Sequence, residues 1–294
     1  MDMNCENAAN YGASTAAGYA FFKYAPRPLF NFYRNFAQNN VNAQDNDVYL
    51  KAGQKLYNDS DYLQEISKIR QIDESNYQNI IENYEQRFKN SPKYRIYGNP
   101  VYKFFFGDKL KKYKTGIKDT SEGKNAFCAL GKNGKKSIIS VNLHKNAQTI
   151  FHEFGHAVNA ASNDYKTILQ NARKLRLMVP SIFFASLVTQ RKDNPVTKQD
   201  KAINTLKDNC GIIAAACSVP TVVEEGLASI NGAKLAKNVL DEKMYKNLNK
   251  YNLKAWSTYV VSTALMGLGV QIGVTIKDKL NQKKPVTQIV DKLK

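Results

Sequence analysis

Two histidines four residues apart, with a glutamate between them, constrain this chain more than any other feature: His152-Glu153-Phe154-Gly155-His156. Residues i and i+4 share a helical face, so both imidazoles can reach one metal ion if this stretch is an α-helix. Glu153, one position after His152, would stand beside such an ion rather than on it, where it can accept a proton from a metal-bound water. The chain has three histidines, and all of them, His144, His152 and His156, fall within thirteen residues.

The pattern H-E-x-x-H belongs to zinc hydrolases only where a helix carries it. Here the flanks supply one. Ala147, Ile150, Phe151, Phe154, Ala157, Val158 and Ala161 recur at helical spacing and form an apolar face opposite the histidines. Upstream, 125–130 and 137–143 read as two strands around Gly131-Lys132-Asn133-Gly134, an Asn-Gly hairpin turn. This predicts a small antiparallel sheet over about 125–143 leading into the helix, with an edge strand able to hold an extended peptide by its main chain.

Catalytic zinc sites take three protein ligands and keep one position for water. The third must come from His144 or a carboxylate. The better candidate is Glu225 in Glu224-Glu225-Gly226-Leu227-Ala228-Ser229. Glu225 and Ser229 lie one helical turn apart, so a ligand and a polar group that orients a histidine would share a face.

His152-Glu153-Phe154-Gly155-His156-Ala157, followed 69 residues after His156 by Glu225-Gly226-Leu227-Ala228-Ser229, resembles the glutamate-ligand zinc metallopeptidases, the gluzincins. The likeness is greatest to the membrane-embedded YugP-like family, with the heat-shock and CAAX-type membrane proteases as wider relatives. Leu175–Pro180, Ser218-Val219-Pro220 and Lys254–Val260 also match, more loosely. The resemblance covers about residues 124–276. It implies an α+β, mainly helical fold with a zincin-like core, a helix bearing the histidines and a helix bearing the glutamate ligand. It implies one Zn2+ per chain on His152, His156 and Glu225, Glu153 as general base, and a peptide or protein substrate. Tyr259, in the C-terminal stretch, is a candidate to polarise the oxyanion; a tyrosine at a membrane interface is the competing role. The chain departs from the family in having Ser229 where the wider relatives often carry Asp. It also departs in having no N-terminal membrane helix, and shorter apolar runs between the ligand motifs.

Three uncharged runs set the other expectation. Leu177–Gln190 has fourteen residues, Asn209–Val223 fifteen and Ala255–Ile276 twenty-two. Only the third meets the ~20 residues of a spanning helix. The first two read as a buried or shallow hairpin. Gly269-Val270-Gln271-Ile272-Gly273 is a G-x-x-x-G signal for close helix packing. The expected localisation is at a membrane, with a cytoplasmic protein whose runs form a soluble core as the alternative; the mean hydropathy of -0.48 favours that alternative.

A net charge of +18 over 294 residues makes nucleic acid the reflex partner. No arginine-rich stripe or aromatic-basic module of a known nucleic-acid binder is present, so nucleic acid is not expected. The competing functional class is a basic membrane-surface or nucleic-acid-binding protein with a structural or degenerate metal site. Cys5, Cys128, Cys210 and Cys217 include no C-x-x-C pair, which argues against a thiolate zinc site. The polar, acidic Met1–Asn10 does not read as a signal peptide. The expected organisation is an N-terminal arm over 1–42, a helical and basic region over 43–120, a zinc metallopeptidase core with apolar helices over 121–280, and a basic tail over 281–294; residues 43–90 read as helix and 91–136 as short, lysine-rich strands and loops.

Overall fold

The computed structural model describes residues 13–20, 28, 43–100, 102, 103, 108–131 and 135–282. They fall into two compact units, interleaved along the chain. One, the mixed unit, is Gln38–Asn171 with Val223–Ser257; the other, the apolar unit, is Met1–Ala37, Ala172–Val222 and Thr258–Lys294.

In the mixed unit, helix α1 (Ala43–Asn58) is followed by α2 (Asp61–Ile66). The turn between them ends on Ser60, whose Oγ accepts a hydrogen bond from Leu63 N and caps α2. Next come β1 (Ser67–Gln71), α3 (Tyr77–Lys89), α4 (Tyr94–Tyr97) and α5 (Lys109–Ser121). Asp108 caps α5 by accepting from Lys111 N, and Gly123, at φ 75°, ends it in the left-handed conformation that glycine adopts without penalty. Strands β2 (Phe127–Ala129) and β3 (Ser137–Val141) follow, then α6 (Leu143–Asn146) and α7 (Thr149–Ala161), the helix of the histidine pair.

The sheet corrects the expectation of a purely antiparallel hairpin. It has three strands in the order β1-β3-β2, with β2 antiparallel to β3 and β1 parallel to it. Strand β1 lies inside a stretch whose apolar spacing reads as helix from 43 to 90. It is short, with four of its five residues polar, and what holds it is tertiary: it pairs with β3 from Ser67↔Ser137 to Gln71↔Val141, and Arg70 Nη2 donates to Ser140 Oγ at 2.7 Å. Of the strands and loops expected over 91–136, strand β2 is present, but Tyr94–Tyr97 and Lys109–Ser121 are instead helices α4 and α5. The Asn133-Gly134 turn lies outside the described residues, as do most of the N-terminal arm and residues 283–294 of the tail.

The core of this unit forms around α7. Ile150, Phe151, Phe154 and Ala157 are fully buried against Tyr49 of α1, Leu63 of α2, Ile139 and Val141 of β3, and Leu248. Tyr57 stacks on Phe154 at 6.0 Å and Tyr49 meets Phe151 edge-on at 6.4 Å. Truncating either phenylalanine would cost about 3–5 kcal/mol. This packing fixes the roll of α7 about its own axis and therefore the side on which His152 and His156 emerge.

Three long helices complete the chain: α8 (Asn163–Val188), α9 (Lys198–Ala236) and α10 (Glu242–Gln282). Each contributes to both units. In the apolar unit, Val179, Phe183 and Leu187 of α8 pack with Cys210 and Ala214 of α9 and Val270 and Val274 of α10. A Cβ on Gly211 would lie 2.5 Å from Gly267 O, so α9 and α10 touch backbone to backbone. Gly273 of the G-x-x-x-G likewise leaves no room for a Cβ, which would lie 2.7 Å from Gly18 O. Lys207 Nζ, fully buried, donates to Asp278 Oδ1 at 2.7 Å and Ser186 O at 2.8 Å.

The second apolar run is not a separate short helix. It lies inside the 39 residues of α9, so two helices, α9 and α10, are long and apolar enough to cross a membrane where the run lengths pointed to one. Their most apolar 18-residue windows are only 22% and 28% buried.

Candidate metal centre

Helix α7 presents His152 and His156 one turn apart, with ring centroids 4.7 Å apart and planes near perpendicular. Helix α9 crosses it at two glycines. A Cβ on Gly155 would run into Ala228 O, and one on Gly232 into Phe151 O. Only glycine permits this approach. Asn231 Nδ2 donates to Asn159 Oδ1 across the same crossing at 2.6 Å.

The crossing brings Glu225 over both rings. Its Oε2 lies 3.3 Å from His152 Nε2 and 3.4 Å from His156 Nε2. The three donor atoms lie within 4.8 Å of one another, and among the described residues this is the one cluster of histidine, cysteine or carboxylate groups able to hold a metal. The other ring nitrogens also face α9. Ser229 Oγ is 3.1 Å from His152 Nδ1, and Glu224 Oε1 is 3.7 Å from His156 Nδ1. One helix thus carries the carboxylate of the cluster and a partner for the outer nitrogen of each imidazole. Partners of this kind fix the tautomer that leaves Nε2 free to ligate.

Glu153 points into the protein and is 5% exposed. Its Oε2 is buried with no hydrogen-bond partner. Burial pushes its pKa up, opposed by the charges of His156 and His152. Burial works on His156 in the opposite sense, but the Glu225 hydrogen bond and the charges of Glu153, Glu225 and Glu224 outweigh it and push the imidazole up to about 9. Two imidazole nitrogens and one carboxylate oxygen form a donor set of the kind that could hold a metal ion such as zinc, and the unpaired, buried Glu153 Oε2 is not one of the three.

The structure brings together His152, His156, Glu225 and Ser229, with Glu153 beside them. His144 is not in the cluster: it sits on α6, where its N–H is capped by Asn142 and its carbonyl accepts from Asn46. Tyr259 belongs to the apolar unit, while the cluster lies in the mixed unit. Two turns earlier on α10, Tyr251 does lie in the mixed unit, half-buried, where burial and the charge of Glu153 push its phenol up. Sequence reasoning passed over it because nothing local separates Tyr251 from the other sixteen tyrosines. The sequence signal for Glu224 is its place one residue before Glu225.

No protein-family model, curated protein or solved structure matches the chain.

Proposed function

We propose that the chain is a zinc-dependent metallopeptidase that works at a membrane. The observation carrying the reading is the convergence of His152 Nε2, His156 Nε2 and Glu225 Oε2, with Glu153 buried alongside. His152, His156 and Glu225 would hold the zinc. When bound, it supplies a Lewis acid that brings a water toward ionisation at neutral pH and polarises a carbonyl. Glu153 accepts the proton of the attacking water and passes it to the leaving amine. Ser229 and Glu224 hold the imidazoles in the ligating orientation. Strand β2, the outer strand of the sheet next to β3, is the main-chain element suited to an extended peptide. The membrane part of the reading rests on α9 and α10, which leave most of their apolar windows uncovered, as in Ile212 at 71% and Leu268 at 58% exposure.

The test combines metal analysis with hydrolysis of a mixed peptide substrate. About one zinc per chain is expected, with hydrolysis lost and zinc retained in Glu153→Gln. A chain purified without chelators that holds no zinc and cannot be loaded with it rejects the proposal.

A further inference from the structure

Helices α3, α4 and α5 carry a surface that the metal centre does not use. Between Arg87 and Lys118 the sequence has ten basic residues and one acidic residue, Asp108. Aromatic rings knit this region together. Phe88 stacks with Tyr97 at 6.2 Å and meets Tyr94 edge-on at 5.7 Å, Tyr84 stacks with Tyr113 at 3.5 Å, and Lys109 Nζ sits 3.6 Å over the Tyr97 ring. The nearby carboxylates are already taken: Glu85 by Lys89 and Lys114, Asp108 by Lys103. Exposed Arg87, Lys93, Arg95 and Lys111 form no ion pair among the described residues. On α4, flanking Arg95, Ile96 is 59% and Tyr94 40% exposed.

We infer that this face, centred on Lys93-Tyr94-Arg95-Ile96-Tyr97, docks on an anionic phospholipid surface; the inference rests on the membrane reading above and adds a second, electrostatic contact to it. Cations around an exposed aliphatic tip match a headgroup layer, where lysine and arginine meet phosphate and isoleucine and tyrosine reach the boundary with the acyl chains. Single-stranded nucleic acid is the other polyanion, but it needs open ring faces to stack bases. Here Tyr84, Phe88, Tyr97 and Tyr113 are stacked on one another or covered by Lys109.

The test uses the full chain with an environment-sensitive fluorescent amino acid at position 96, and a second chain with the same group at position 268 on α10. Each is mixed with phosphatidylcholine vesicles, with and without 30% phosphatidylglycerol. The expected result is a blue shift at 96 only with the anionic vesicles, weakened about tenfold or more in lipid affinity by Lys93→Glu/Arg95→Glu/Lys111→Glu and by 0.5 M salt. These positions are exposed, so the substituted chain should keep its fold and its zinc. A water-exposed signal at 96 with a lipid signal at 268 overturns the docking face and leaves membrane insertion standing. Water-exposed signals at both positions overturn both. A shift at 96 that an oligonucleotide produces and vesicles do not assigns the face to nucleic acid and overturns the proposal.

Discussion

The proposed ligands and the groups behind them should differ in what their loss does. His152→Ala, His156→Ala and Glu225→Ala each remove a proposed ligand and should abolish stoichiometric zinc. Glu224→Ala and Ser229→Ala remove only an outer partner and should weaken zinc by about 10–100-fold, read by competition with a chromophoric chelator. If Glu224→Ala loses zinc and Glu225→Ala keeps it, the ligand assignment moves by one residue. Because the metal-free His156 imidazole is pushed up to about 9, it carries a proton at neutral pH, which zinc must displace. Binding should therefore release protons at pH 7, measurable by calorimetry in buffers of different ionisation enthalpy, and tighten as pH rises toward 9. Tyr49 gives a pH effect away from the metal. Burial, then Asp45 and Asp241, push its phenol up to about 12, and its hydroxyl donates to Met244 O. The folded state favours the neutral phenol, so this stability is complete below pH about 10 and is lost as pH rises toward 12. Tyr49→Phe should flatten that alkaline decline in denaturant titrations and cost about 1 kcal/mol at neutral pH.

The decisive pair of elements is α7 and α9. Each is a plausible helix from its own sequence; their crossing is set by Gly155 and Gly232, whose missing side chains let the backbones touch. Gly155→Ala should force the helices apart, lowering the melting temperature and the zinc content together even though no ligand is changed. Gly116→Ala is its control. Gly116 sits inside α5 with nothing within 4 Å of an added Cβ, so alanine there should raise stability by about 0.5–1 kcal/mol. Equal destabilisation by both would mean that helix contact at Gly155 is not what positions the site. The apolar face of α7 was legible because 3.6-residue periodicity survives in one helix. Strand β1 was not, since five residues with a single apolar one, Ile69, carry too little pattern to outweigh the helical spacing around them.

At the scale of the whole molecule, the two units divide the chemistry from the apolar surface. The metal cluster belongs to the unit with the sheet, and the three-helix packing of Val179, Phe183, Cys210, Val270 and Val274 belongs to the other. The outward Ile212, Leu268 and Ile272 should send the full chain into the detergent phase on phase separation. Ile212→Lys/Leu268→Lys should move it toward the aqueous phase, with zinc content unchanged. A wild-type chain recovered wholly in the aqueous phase would leave the peptidase proposal standing without its membrane.

Sequence alone determined the chemistry on offer: an i, i+4 histidine pair with a glutamate beside it, a second carboxylate with a serine one turn on, and runs too apolar for an open surface. Those are local facts, decided by residue type and by the fixed rise and turn of a helix. Tertiary structure decided which groups meet. Glu225 lies 69 residues from His156, and only the glycine crossing of α7 and α9 carries Oε2 to both Nε2 atoms. It also decided that Tyr251, not Tyr259, shares the unit of the metal cluster, and that β1 joins β3 as a parallel neighbour. Such pairings depend on packing between segments distant in the chain, and no local periodicity encodes them.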